Sequence, residues 1–281
     1  MNEDHSAVPD HFQMLRLDGQ VHVVLGAGQG IGRQTAHALA QAGAHVVCVG
    51  RRRGPTERVA QQVGGSAFIG DAQNRDDATR LFEYVESSCG RLDGIVDVIG
   101  TALAGSILDT SDEDWSWQLD NVLRPAFLAL QIGSPLMERS GGGAVTLIGS
   151  ICGDVVWEGT SLVYSLAKSA LHHMTRVAAV HLGPRGVRVN ALSLAFHATP
   201  KWQGKPAEWY ESIGQGYPLR RIGSTSEVAS AVLFLSSGLA PNITGQVIVL
   251  DGGLSIQSPP PLPDHSAGGF PWTRADVEHW A

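Results

Sequence analysis

Between residues 21 and 251, short runs of apolar and β-branched residues recur seven times, each separated from the next by a longer amphipathic stretch. The runs are VHVVLG (21–26), AHVVCVG (44–50), SAFIG (66–70), GIVDVIG (94–100), GAVTLIG (143–149), GVRVNALS (186–193) and GQVIVLD (245–251). Helical periodicity fills 31–42, 55–63, 74–88, 112–139, 161–182, 205–215 and 225–237. Strands that are apolar on both faces and joined through helices belong to a parallel sheet covered on both sides. The expected fold class is therefore α/β: a doubly wound parallel sheet of seven strands flanked by helices, in one domain over residues 18–255.

The ends read differently. Residues 1–17 are polar, contain Pro9 and are expected to form a flexible arm. Residues 256–281 turn abruptly to IQSPPPLPDHSAGGFPWTRADVEHWA, where Pro259 to Pro261 and Pro263 favour an extended segment, read as a spacer with a PxxP ligand as the alternative. Phe270, Trp272 and Trp280 make this extension one expected to dock on its own domain or on a neighbouring subunit.

Composition narrows the function classes. A formal charge of -7 argues against nucleic acid, whose binding rests on neutralising phosphates. Cys48, Cys89 and Cys152 are scattered and odd in number, which suggests neither a disulfide framework nor a metal site. No apolar run is long enough for a membrane span, and MNEDHSAVPDHFQ has no signal-peptide pattern, so the expected location is the cytoplasm.

The chain holds 34 glycines, and one cluster has a specific place. Gly26-Ala27-Gly28-Gln29-Gly30-Ile31-Gly32 follows the first strand and opens the first helix. Glycines there permit a tight turn and close backbone approach to a pyrophosphate at a helix N-terminus, the Rossmann-like arrangement for a dinucleotide. The second strand ends at Gly50, followed by Arg51-Arg52-Arg53. An acid at this place would hold a ribose 2′-hydroxyl, whereas arginine accommodates a 2′-phosphate, so NADP(H) is favoured over NAD(H). A solvated charge run is the bland alternative. Asp71, after the third strand, is placed to hydrogen-bond an adenine or to cap a helix.

Tyr164 and Lys168 stand i and i+4 in a helical stretch, on one face. Acid/base work near neutrality needs a phenol shifted down by about three units, roughly 4 kcal/mol in favour of the phenolate. A neighbouring ammonium and an oxidised, positively charged nicotinamide would together supply it. Ser150 closes the fifth strand at the sheet edge where such folds bind ligands, and Asn121 interrupts a helical stretch that it does not favour. A helix cap and a surface residue are their bland alternatives.

Over residues 18–255 the chain resembles a short-chain dehydrogenase/reductase of the compact single-domain kind. The matching segments are the glycine turn, Asn121, Ser150, Tyr164-xxx-Lys168, VRVNALS (187–193), Thr199, and PLRRIGSTSEVASAVLFLSS with ITGQVIVLDGG (218–253). The resemblance implies Tyr164 as acid/base and Ser150 polarising a carbonyl. It also implies Lys168 on the nicotinamide ribose, Asn121 anchoring a relay water and Thr199 on the carboxamide. Gly26, Gly28, Gln29, Gly30, Ile31, Gly32, Arg51, Arg52, Asp71, Ala72 and Gly100 would complete the cofactor site with Tyr164, Lys168 and Thr199. It further implies a homotetramer or homodimer built through the helices of Asn121 and Tyr164.

Three positions depart from the family pattern. Leu25 replaces a Thr, Asp97-Val98-Ile99-Gly100 replaces Asn-Asn-Ala-Gly, and Leu194-Ala195 replaces Pro-Gly. Leu25 and Ile99 are expected to substitute apolar packing for a polar link. Trp157, Phe196 and Trp202, with His197, Trp209 and Tyr217, place aromatics around the expected substrate lid, and core packing accounts for some of them. The expected function is hydride transfer between NADP(H) and a bulky or aromatic ketone or secondary alcohol, a small molecule. A 3-ketoacyl thioester reductase and a catalytically silent nucleotide-sensing or scaffolding protein are the alternatives. An enoyl reductase is disfavoured, because that branch spaces its Tyr and Lys further apart.

Overall fold

The computed structural model describes residues 8–157 and 159–257, so the proline-rich tail with Phe270, Trp272 and Trp280 lies outside the described residues. Seven strands form one sheet: β1 (Val21–Leu25), β2 (His45–Gly50), β3 (Ser66–Ile69), β4 (Gly94–Asp97), β5 (Gly143–Ile148), β6 (Val187–Leu194) and β7 (Val247–Leu250). Their order is β3-β2-β1-β4-β5-β6-β7 and every pairing is parallel. Strand order reverses at β1 and β4, which opens a crevice beyond their carboxyl ends.

The connecting helices are α1 (Gly30–Gln41), α2 (Arg53–Val63), α3 (Arg75–Cys89), α4 (Asp112–Leu128), α5 (Leu162–Leu182), α6 (Ala207–Gln215) and α7 (Thr225–Ser236). Alternate residues of a strand face opposite sides of the sheet. Val23, Leu25, Ile95, Val145 and Leu147 pack with residues of α3, α4 and α5 on one side. Val24, Val46, Cys48 and Val96 pack with residues of α1, α2 and α7 on the other. The doubly wound α/β architecture read from the sequence is the one observed.

Some local boundaries differ. The strand expected to run to Gly100 ends at Asp97, because the Asp97 carboxylate accepts the Ile99 N–H at 2.9 Å and turns the chain away. The helix expected over 112–139 passes through a π-helical stretch at Ala129–Gly133 before Ser134–Arg139, where Pro135 offers no N–H to the preceding turn. Of the arm expected over 1–17, the part from Asp10 onward is docked. Asp10 caps a helical turn at His11–Met14, the Met14 carbonyl accepts the Gly238 N–H, and Leu17 is fully buried.

Leu25 lies in the β1 core, and Ile99 packs against the same cluster. Leu25 pairs in register with Val49 and Asp97 and is 1% exposed, so a threonine there would remove apolar volume from the packed cluster. Leu25→Thr is expected to lower unfolding free energy by about 2–4 kcal/mol, as large-to-small core changes do. Urea denaturation checks this, and unchanged stability would contradict the apolar replacement.

Candidate active site

Two adjoining clefts lie at the carboxyl edge of the sheet. The first, about 290 Å³, runs from the glycine turn across β2 and the end of β3. It is walled by Gly26, Gly28, Gln29, Gly30, Ile31, Gly32, Arg51, Arg52, Asp71, Ala72, Gly100, Asn121 and Thr199. The second, about 210 Å³, contains Ser150, Tyr164 and Lys168 together with Trp157, Phe196, His197 and Trp202. Ile31, Val98, Gly100, Thr101, Thr199 and Lys201 line both, so the two spaces are continuous. Apart from Trp209 and Tyr217 of the expected lid, the residues singled out from the sequence as site candidates border one or other of them.

The first cleft suits a bound pyrophosphate. Gln29 makes no side-chain cap at the start of α1, so the helix presents uncapped backbone N–H groups to the cleft. Gly26 and Gly30 have positive φ of 86° and 53°. A Cβ at Gly32 would overlap the Gly26 carbonyl, and one at Gly28 would lie 3.3 Å from Pro55. A side chain at either position would be crowded by the turn itself or by α2. At Gly50 a side chain would meet the Thr56 hydroxyl at 2.6 Å, which keeps an acid off the end of β2. Arg51 instead pairs with Asp71 across the cleft at 3.5 Å, while Arg53 turns away to Glu57 at 2.7 Å. Helix α3 is capped by Asn74, so Asp71 is not the cap of that helix; its carboxylate accepts the Gln73 N–H at 3.0 Å.

The second cleft is organised by α5 and β5. Lys168 is 2% exposed, and its Nζ donates to the Ile148 carbonyl at 2.6 Å. It stands 5.7 Å from the Tyr164 ring centroid, and a Cβ at Gly100 would approach it to 2.9 Å. Gly100 has φ of 144°, so it both shapes the turn after β4 and leaves room for the amine. The Ser150 hydroxyl caps the short turn Ile151–Gly153, accepting the Cys152 N–H at 3.3 Å. Asn121 accepts the Thr101 N–H at 2.8 Å, and Gln118, not anticipated from the sequence, brackets the same loop through Leu103 and Thr101. Pro125 follows Asn121 by one turn and has no N–H to give its carbonyl.

Charge in this cleft is set by burial. Burial pushes the Tyr164 phenol above its ordinary range, against a hydrogen bond with Ser150 that pulls it down. The lowering expected from the sequence needs the charge of the bound nicotinamide, because in the protein alone the cost of burial outweighs the pull of Ser150. Burial draws the Lys168 amine down to about 8, opposed by the charge of Asp97. Lys201, another residue that sequence reasoning passed over, is also drawn down to about 8 by burial.

The aromatic residues divide. Trp157, Phe196 and Trp202 line the cleft, with Phe196 and Trp202 centroids 5.8 Å apart. Trp209 backs Trp202 at 5.1 Å, and Tyr217 is buried with its hydroxyl accepting the Phe196 N–H at 3.1 Å. These last two support the lid. The segment after β6 folds over the glycine turn, because Pro200 would lie 3.1 Å from a Cβ at Gly30. Leu194, which ends β6, and Ala195 border the second cleft.

Known proteins resemble the chain over most of its length. A family model described as enoyl-(acyl carrier protein) reductase matches residues 26–255. An uncharacterized oxidoreductase of Mycobacterium tuberculosis is 34% identical over 262 residues, covering 90% of this chain and 99% of that protein. Galactitol 2-dehydrogenase (L-tagatose-forming) of Cereibacter sphaeroides is 31% identical over 254 residues, covering 88% and 99%. A solved structure of 7α-hydroxysteroid dehydrogenase complexed with NADH and 7-oxo glycochenodeoxycholic acid has a TM-score of 0.81 at 29% identity, covering 88% of this chain and 98% of that one.

Gly100→Ala tests the close approach at the centre of the site. The substitution combines a backbone conformation that L residues rarely adopt with a clash on Lys168 Nζ. It is expected to cost about 1–3 kcal/mol of stability, measured by urea denaturation. Stability equal to that of the parent chain would contradict the packing described.

Proposed function

The chain belongs to the short-chain dehydrogenase/reductase family of oxidoreductases, and from that premise we propose that it reduces a bulky or aromatic ketone with NADPH, or runs the reverse alcohol oxidation. One observation carries the reading: Ser150, Tyr164 and Lys168 converge in an aromatic-walled cleft continuous with the glycine cradle. Bound in that cradle, the nicotinamide cofactor supplies or accepts the hydride.

The residues take the following parts. The α1 N-terminus and its glycines hold the pyrophosphate, while Arg51 and Arg52 face the adenosine end, where a 2′-phosphate would sit. Lys168 binds the nicotinamide ribose and Thr199 the carboxamide. Ser150 donates a hydrogen bond to the substrate oxygen, and Tyr164 gives that oxygen its proton. A phenol kept protonated by burial is suited to the donor role in carbonyl reduction. Asn121, at the point where Pro125 leaves a helical carbonyl without its usual donor, anchors the water that resupplies the proton. Three intervening residues between Tyr164 and Lys168 favour carbonyl chemistry over enoyl reduction.

Trp157, Phe196 and Trp202 select a flat or bulky apolar group beside the carbonyl. Trp115 and Phe127 on α4 and Leu166, Val177 and Val180 on α5 are exposed apolar side chains, which supports assembly of a homodimer or homotetramer through these helices. Among the described residues no helix is long and apolar enough to cross a membrane.

A panel of ketones and alcohols assayed with NADPH and NADH in parallel tests the assignment. Tyr164→Phe is expected to lower turnover by about 10²–10⁴-fold or more while cofactor binding persists. Retained turnover would contradict the proton-donor role. Arg51→Ala is expected to raise KM for NADPH about tenfold or more and to leave KM for NADH nearly unchanged, since a charged phosphate contact is lost. An equal effect on both cofactors would contradict the 2′-phosphate assignment.

A further inference from the structure

Asp97 is a buried carboxylate for which the proposed mechanism has no task. It is 3% exposed and ends β4, in register with Leu25 of β1 and Leu147 of β5. Both neighbours belong to the cluster that also contains Ala167 and Leu171 of α5. Since residues in register share a face, Asp97 lies on the side of the sheet that α5 covers. Lys168 sits between Ala167 and Leu171 on that helix, itself 2% exposed, with one donor engaged by the Ile148 carbonyl.

A buried ammonium is costly, and an anion nearby answers the cost. The Asp97 carboxylate has one oxygen on the Ile99 N–H, and it and Lys168 each stabilise the charged form of the other. We propose that Asp97 is a positioning residue for the reaction, a carboxylate beneath the site whose charge holds the Lys168 ammonium in place next to Tyr164. This inference rests on the carbonyl-reductase reading above. Burial pushes the Asp97 carboxyl above the ordinary carboxylate range, against the pull of the Ile99 N–H and Lys168.

The titratable groups around the pair are few among the described residues. Helix α5 supplies Tyr164, Lys168 and His172; the turn after β5 supplies Cys152 and, paired with His172 at 3.0 Å, Asp154. Helix α4 contributes the neutral Asn121 and Gln118. The lid adds Lys201 on the wall of the same cleft.

Asp97→Asn keeps the shape and an acceptor for the Ile99 N–H but removes the charge. Without the anion, the ammonium deprotonates at lower pH, and any effect on the Tyr164 phenol has the same sign. Carbonyl reduction needs both groups protonated, so the alkaline limb of its pH profile should move down by about one unit or more. Lysine-selective NMR, with the Lys168 signal identified by its loss in Lys168→Met, should show the same shift without any substrate. An unmoved Lys168 titration in folded Asp97→Asn overturns the proposal. If the NMR shift occurs while the parent chain reduces no ketone, the reductase reading fails and Asp97 loses its part in the reaction with it. Should Asp97→Asn not fold, Lys168→Met is expected to raise the Asp97 carboxylate titration, read by carboxyl NMR; no rise overturns the pairing.

Discussion

The arrangement of the site turns on placing a cationic amine in the dry interior beside a phenol. Lys168 is almost wholly buried, and burial alone favours its neutral form. What keeps it in place comes from three different parts of the chain: the Ile148 carbonyl at the end of β5, the absent side chain of Gly100 after β4, and the Asp97 charge on the sheet. None of these could be brought together without the parallel order in which β4 and β5 lie side by side under α5. The sheet supports the site by fixing where its carboxyl ends meet one helix face.

The same topology explains why the cofactor and substrate spaces join. The crevice opens where strand order reverses, between β1 and β4, and the glycine turn occupies its rim. The segment after β6 then crosses back over that turn, so Thr199 and Lys201 border both spaces. Phe196 meets Trp202 edge-on and Trp202 meets Trp209 at a tilt within this cover, and Tyr217 ties its base to the Phe196 backbone.

Local chemistry was legible in the sequence wherever it depended on spacing. The seven apolar runs, the glycine turn between β1 and α1, and the single helical turn from Tyr164 to Lys168 are all short-range patterns, and the strands and helices they indicate are present. What was not legible depends on burial and on partners far apart in the chain. The spacing places the amine one turn from the phenol, but the rise that burial imposes on the phenol in the protein alone is encoded by no spacing. Arg51 meeting Asp71, and the burial of Asp97 and Lys168 on one side of the sheet, arise only when segments far apart in the chain come together. Pro125 carried a usable signal: a proline one turn after a mid-helix Asn frees a carbonyl at that point.

The central claim is that the Tyr164 phenol, held protonated by burial, becomes an effective acid/base only when a second positive charge joins Lys168 in the cleft. Ultraviolet difference titration of tyrosinate in the NADP+ complex, compared with the protein alone, tests this most directly. The account predicts one tyrosine ionising near neutrality with NADP+ bound, absent from the protein alone and absent from Tyr164→Phe. If NADP+ binds and no tyrosine ionises below its ordinary range, the account is contradicted.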